Sequence, residues 1–147
     1  MSKEKFKTFK KVFDEYTMRT IYKLANDGYI DYIIGPISTG KEADVFHGKD
    51  SKGKDIAIKI FRLETSGFNN MWKYIHGDRR FDKVKNRKRD IISAWVQKEF
   101  KNLYLTKKAG INAPEPITSR NNVLIMEFIG INEISAPLAK DCHPKSP

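Results

Sequence analysis

The stretch Ser38-Thr39-Gly40-Lys41-Glu42-Ala43-Asp44-Val45 gathers small side chains, a glycine and a lysine, a set suited to phosphate oxygens. With Gly35 it reads Gly35-x-x-x-x-Gly40-Lys41, close to a P-loop. A P-loop needs Ser or Thr after its lysine, for magnesium, and a helix N-terminus to hold the phosphate. Glu42 occupies that place, and residues 43–48 read as a strand, so both requirements fail. The alternative is a strand, turn and strand lying over a nucleotide. Ser38, Thr39 and Gly40 would then bring side chains and backbone N–H groups to the phosphates, Lys41 would add charge, and Val45 would cover the base. Taken alone, the octapeptide also fits a plain hairpin turn.

Two further residues depend on each other. Lys59 lies in the apolar run Ile56-Ala57-Ile58-Lys59-Ile60-Phe61. An ammonium in such a strand must reach solvent or meet an anion. Glu99 is seven residues after Ile92 and four before Leu103, so it shares their apolar helix face and needs a cation there. Lys59 is the natural partner, and Lys98 or Lys107 on the same helix is the plainer one. Val123-Leu124-Ile125-Met126-Glu127-Phe128-Ile129-Gly130 is an apolar strand ending in a small residue, and by itself it reads as an ordinary core strand.

The elements that must position these groups follow from periodicity. Apolar residues from Phe6 to Ala25 recur every three or four positions, which predicts a helix over 4–26 ended by Gly28. Strands are expected over 32–38, 43–48 and 55–61, with Pro36 marking an edge or a bend. Residues 62–89 form a basic connection with a small apolar island, Phe68, Met71, Trp72, Tyr74 and Ile75, that suits a short helix. A long helix is predicted from a cap at Asp90 to Lys108, ended by Gly110. Pro114 and Pro116 precede a strand, 119–122 reads as a turn, and 123–129 as the last strand. The outcome is an α+β layer: an N-terminal helical segment (1–28), a sheet with one long helix and a basic insertion (29–130), and an irregular tail (131–147).

The formal net charge is +10, from 28 Lys and Arg against 18 Asp and Glu, which favours polyanionic partners. No apolar run approaches the ~20 residues of a membrane span. No signal-peptide core is evident, and one cysteine, Cys142, allows no internal disulfide, so a cytoplasmic protein without a membrane partner is expected.

The turn at 38–45 resembles the S-T-G-K-E-A-N-V phosphate loop of the type-1 branch of the RIO family of atypical serine/threonine protein kinases, with Asp44 at the Asn position. Ala57-Ile58-Lys59 resembles that family's lysine strand. Trp95-Val96-Gln97-Lys98-Glu99-Phe100-Lys101-Asn102-Leu103 resembles its glutamate helix, Pro114-Glu115-Pro116-Ile117 the approach to the next strand, and 123–130 its hinge. The resemblance implies a kinase N-lobe, a five-stranded antiparallel sheet with one long helix. It implies ATP as the ligand, held by Ser38, Thr39, Gly40, Lys41, Val45, Ala57, Lys59 and Glu99. Adenine would meet the Glu127 carbonyl and the Ile129 N–H, with Met126 behind it. It also implies magnesium, and a role in maturation of the small ribosomal subunit.

The family's H-x-D-L-S-x-x-N loop and later I-D loop supply the catalytic base and metal ligands. Nothing after Gly130 matches either, and Asp141, Cys142 and His143 lack the spacing. A lobe with no catalytic residues and no C-lobe is the expectation. The competing function is a basic RNA- or ribosome-binding module, using Arg79, Arg80, Lys83, Lys85, Arg87, Lys88 and Arg89 with nearby aromatics. A regulatory lobe without catalysis is a third.

Overall fold

A computed structural model describes residues 13–63, 88–131 and 134–135. The expected helix over 4–12, the apolar island, most of the basic segment and the tail beyond 135 lie outside the described residues.

Helix α1 spans Glu15–Asn26. It starts later than periodicity predicts because Asp14 caps it, accepting a hydrogen bond from the Thr17 N–H at 2.8 Å. Phe13 stays outside the helix and meets the Phe46 ring edge-on, with centroids 5.5 Å apart. Gly28, at φ +86°, ends the segment in the left-handed region that other residues resist. Strands β1 (Tyr32–Thr39), β2 (Ala43–Lys49) and β3 (Asp55–Phe61) follow as antiparallel neighbours. Helix α2 (Lys88–Lys108) crosses to β4 (Pro116–Arg120) and β5 (Val123–Glu127). Asp90 is therefore inside the first turn of α2 rather than its cap, where its charge suits the helix dipole. The β4–β5 turn is tighter than predicted: Ser119 and Arg120 belong to β4, and Asn121 takes a positive φ of 51°. The last strand ends at Glu127, opposite Ile56, rather than at Ile129. Gly130–Ile131 (β6) and Ile134–Ser135 (β7) form a separate two-stranded pair.

The five-stranded sheet has the order β1-β2-β3-β5-β4 and is antiparallel throughout. Strand alternation divides its side chains between two cores. Ile56, Ile58, Ile60, Val123 and Ile125 pack against Met18, Ile21 and Leu24 of α1. Phe61 and Leu124 pack against Ile91, Ile92, Ala94 and Val96 of α2 on the opposite face. The two helices thus sandwich the sheet, whereas patterning alone left α1 unassigned to a face. Among the described residues no helix is long and apolar enough to cross a membrane.

Both helices begin at the same end of the sheet, and polar side chains fasten them there. Buried Asn122 donates from Nδ2 to the Thr17 hydroxyl and to the Phe61 carbonyl, both at 2.9 Å. Asn121 donates to the Thr20 hydroxyl at 2.9 Å. Arg89 of α2 lies over the Tyr16 ring of α1, 4.5 Å from its centroid.

Asn122→Ala should lose about 2 kcal/mol in urea unfolding, because two buried acceptors lose their donor. Tyr16 gives a pH signature. Burial pushes its phenol above the ordinary value of 10.0, against the pull of Arg89. The fold prefers the neutral phenol, so this contribution is complete below pH 10.0 and is lost as pH rises through the higher folded value. Tyr16→Phe should lose less stability than the parent when urea midpoints at about pH 9 and about pH 11 are compared.

Candidate functional site

Lys59 is on the α2 face of the sheet because β3 alternates: Ile58 and Ile60 face α1, and Lys59 and Phe61 face away. Its ammonium donates to Glu99 Oε1 at 2.7 Å. The two side chains are 26% and 29% exposed, so the pair lies at the wall of a cleft and not in a sealed core. Glu99 is there because α2 carries it at the spacing of its buried residues, and its second carboxylate oxygen is buried without a hydrogen bond. Lys59 Nζ also lies 5.0 Å from the Phe61 ring centroid.

This pair lines an open cleft of about 690 Å³, bordered by the β1–β2 turn and by α2. The volume falls in the range of small-molecule sites. Ser38, Thr39, Gly40, Lys41, Val45, Lys59 and Glu99, seven of the eleven residues singled out from sequence, line it together. Val45 is the register partner of Lys59, so one rung holds both. Ala57, Met126, Glu127 and Ile129 are not among its lining residues. They lie along the sheet from it: Ala57 is opposite Met126, Glu127 is opposite Ile56, and Ile129 is exposed past the end of β5. Glu127 donates its N–H to the Glu115 carbonyl at 2.8 Å.

The turn differs from expectation in one donor. Gly40 donates its N–H to the Ala43 carbonyl at 2.9 Å, closing the turn on itself. That group is not turned to the cleft, so Gly40 contributes space instead. A Cβ there would stand 3.0 Å from the Ala43 carbonyl oxygen. Behind the turn, buried Asp44 accepts two hydrogen bonds from the Arg62 guanidinium at 2.7 and 3.1 Å. Arg62 also donates its N–H to the Glu42 carbonyl at 2.9 Å. The acid at the position where the resembling loop has Asn is thus a fastening on the far face of β2.

Sequence reasoning missed Glu42, Ala43, Phe61, Trp95, Lys98 and Asn102 as lining residues. Four of the wall residues are spaced as one helix stripe, Trp95, Lys98, Glu99 and Asn102, so helical geometry around Glu99 was the available signal. Lys98, whose ammonium is 5.0 Å from the Trp95 ring centroid, adds a further cation to the wall. Of the basic segment, Lys88 and Arg89 are described, and Arg89 is engaged with Tyr16.

The model of the RIO domain family matches residues 44–147, most of the chain and all of its tail. The chain belongs to the RIO family. The RIO-type serine/threonine-protein kinase Rio1 of Haloferax volcanii is 42% identical over 98% of this chain and 50% of the relative. Its counterpart in Methanocaldococcus jannaschii is 45% identical over 94% of the chain and 47% of the relative. Human serine/threonine-protein kinase RIO1 is 39% identical over 91% of the chain and 24% of the relative. The chain therefore spans about half, or less, of the length of these RIO proteins. The Rio2 kinase structure from Chaetomium thermophilum shares the fold at a TM-score of 0.55, with 21% identity, over 77% of this chain and 33% of that one. A second structure of that protein, an ADP/Mg2+-phosphoaspartate complex, also matches at 0.55, with 20% identity, over 82% of this chain and 35% of that one. The RIO fold is thus present here as the five-stranded N-lobe with its long helix.

The ion pair makes a direct prediction. Lys59→Met should cost about 2 kcal/mol in urea unfolding, because it leaves the Glu99 carboxylate half-buried without its cation. Lys59→Met with Glu99→Leu should recover most of that loss. Additive losses in the double-mutant cycle would show that the two groups are not coupled.

Proposed function

We propose that this chain is the ATP-binding lobe of a RIO-type serine/threonine protein kinase. The observation that carries the reading is the Lys59–Glu99 pair at 2.7 Å in the wall of the cleft under the Ser38–Val45 turn. Glu99 holds the lysine ammonium at a fixed point, where it meets the α- and β-phosphates. Ser38, Thr39 and Lys41 take further phosphate oxygens. Val45 and Ala57 cover the base, and the Glu127 carbonyl and Ile129 N–H meet its polar edge with Met126 behind. The relative crystallised with ADP and Mg2+ supports a nucleotide and magnesium for the family.

Among the described residues no three His, Cys, Asp or Glu side chains come together as a metal set. In this reading the lobe's contribution is to hold and align the nucleotide. Phosphoryl transfer depends on positioning and metal electrostatics together. The chain alone is expected to bind nucleotide without transferring phosphate. We further assign it, by family, to maturation of the small ribosomal subunit in the cytoplasm. Pre-ribosomal particles or their RNA would be met through Arg79, Arg80, Lys83, Lys85, Arg87, Lys88 and Arg89.

Titration with a fluorescent ATP analogue tests the reading. Lys59→Ala should weaken binding by about tenfold or more, the loss of roughly one charge-assisted contact. Charge reversal at Arg79, Arg80, Lys83, Lys85 and Arg87 should spare ATP and remove salt-dependent RNA binding. Unchanged ATP affinity in Lys59→Ala overturns the assignment.

A further inference from the structure

His47 is not used by the ion pair or the phosphate turn, yet it is buried, at 4% exposure, in the α2 face of the sheet. It follows Val45 by two residues on β2 and is opposite Ala57, so it lies two rungs from Val45 and Lys59 on the same face of the sheet. Its Nε2 is 2.8 Å from Asp55 Oδ1, and Lys49 Nζ is 3.7 Å from the same oxygen. Its ring lies flat against the ring of Phe128, with centroids 3.8 Å apart and planes 6° from parallel. Phe128 is in neither β5 nor β6 and stands between Glu127 and Ile129, the two residues assigned to the base edge.

A buried imidazole needs a polar partner, and Asp55 supplies one on the first residue of β3. That bond fixes the ring plane. A fixed plane is a wall on which a second ring can stack. The segment after β5 is thereby docked onto β2, two strands away in the sheet order, and not merely trailed from β5. We infer that His47 is a positioning residue for the hinge: its Asp55-locked ring sets the place of Phe128, and with it the backbone groups of Glu127 and Ile129 that receive the base. The base-binding part rests on the nucleotide reading above; the docking part does not.

Two measurements on the 147-residue chain separate these parts. Amide hydrogen exchange in the free chain reads the docking. His47→Ala should speed exchange at 128–130 by about threefold to tenfold, the range of a lost stacked pair, and leave Ile58 and Ile60 unchanged. His47→Phe should restore protection at 128–130, since it keeps a stacking ring. No change at 128–130, or equal acceleration throughout β2 and β3, overturns the inference. The second measurement compares binding of ATP with that of inorganic tripolyphosphate. His47→Ala should weaken ATP by about threefold to tenfold and leave tripolyphosphate unaltered. Equal losses for both ligands overturn the positioning role. If the parent chain binds neither ligand, the nucleotide reading fails and the base-binding role of His47 fails with it, while exchange at 128–130 still decides whether His47 docks the segment.

Discussion

One ion pair, set beside the apolar core between sheet and helix, joins the two parts of this lobe at the wall of its cleft. Lys59 comes from the middle of the sheet and Glu99 from the helix that packs on it, forty residues apart in sequence and 2.7 Å apart in space. Neither charge is comfortable alone in apolar surroundings. Their meeting fixes the rotation of α2 about its axis, because Glu99 can reach Lys59 only when Ile92 and Val96 face the sheet. That rotation in turn presents Trp95, Lys98 and Asn102 to the cleft. The second carboxylate oxygen of Glu99 is buried at the same place without a hydrogen bond.

The turn over the cleft is held from behind. Asp44 and Arg62 tie the start of β2 to the end of β3 on the face away from the cleft, and Arg62 reaches back to the Glu42 carbonyl. Gly40 completes the turn with its own backbone bond to Ala43. The cleft side of the loop therefore offers side chains on a rigid frame, and a rigid frame lowers the ordering cost of binding.

Much of this was readable in the sequence. The two-residue alternation of β3 put Lys59 on the opposite side from Ile58, and the helical spacing of α2 put Glu99 among its apolar neighbours, so each demanded the other. The placements that were not readable depend on partners distant in the chain. Nothing local to Asp44 announces Arg62. Nothing local to His47 announces Phe128, eighty-one positions later. The helix boundaries shifted for a related reason: Asp14 is a cap only because its side chain folds onto Thr17. Periodicity cannot say which face of a sheet a preceding helix covers, and α1 took the one left open by α2.

The two rims of the sheet share a property. β1 carries Pro36 and two slips in its pairing with β2, and β4 begins at Pro116 with a slip before Thr118. A stranger strand arriving at either rim finds an interrupted ladder and a proline with no N–H to offer. The same prolines and irregularities that shape the turn and the crossover thus guard this lobe against growing, strand upon strand, into a fibre.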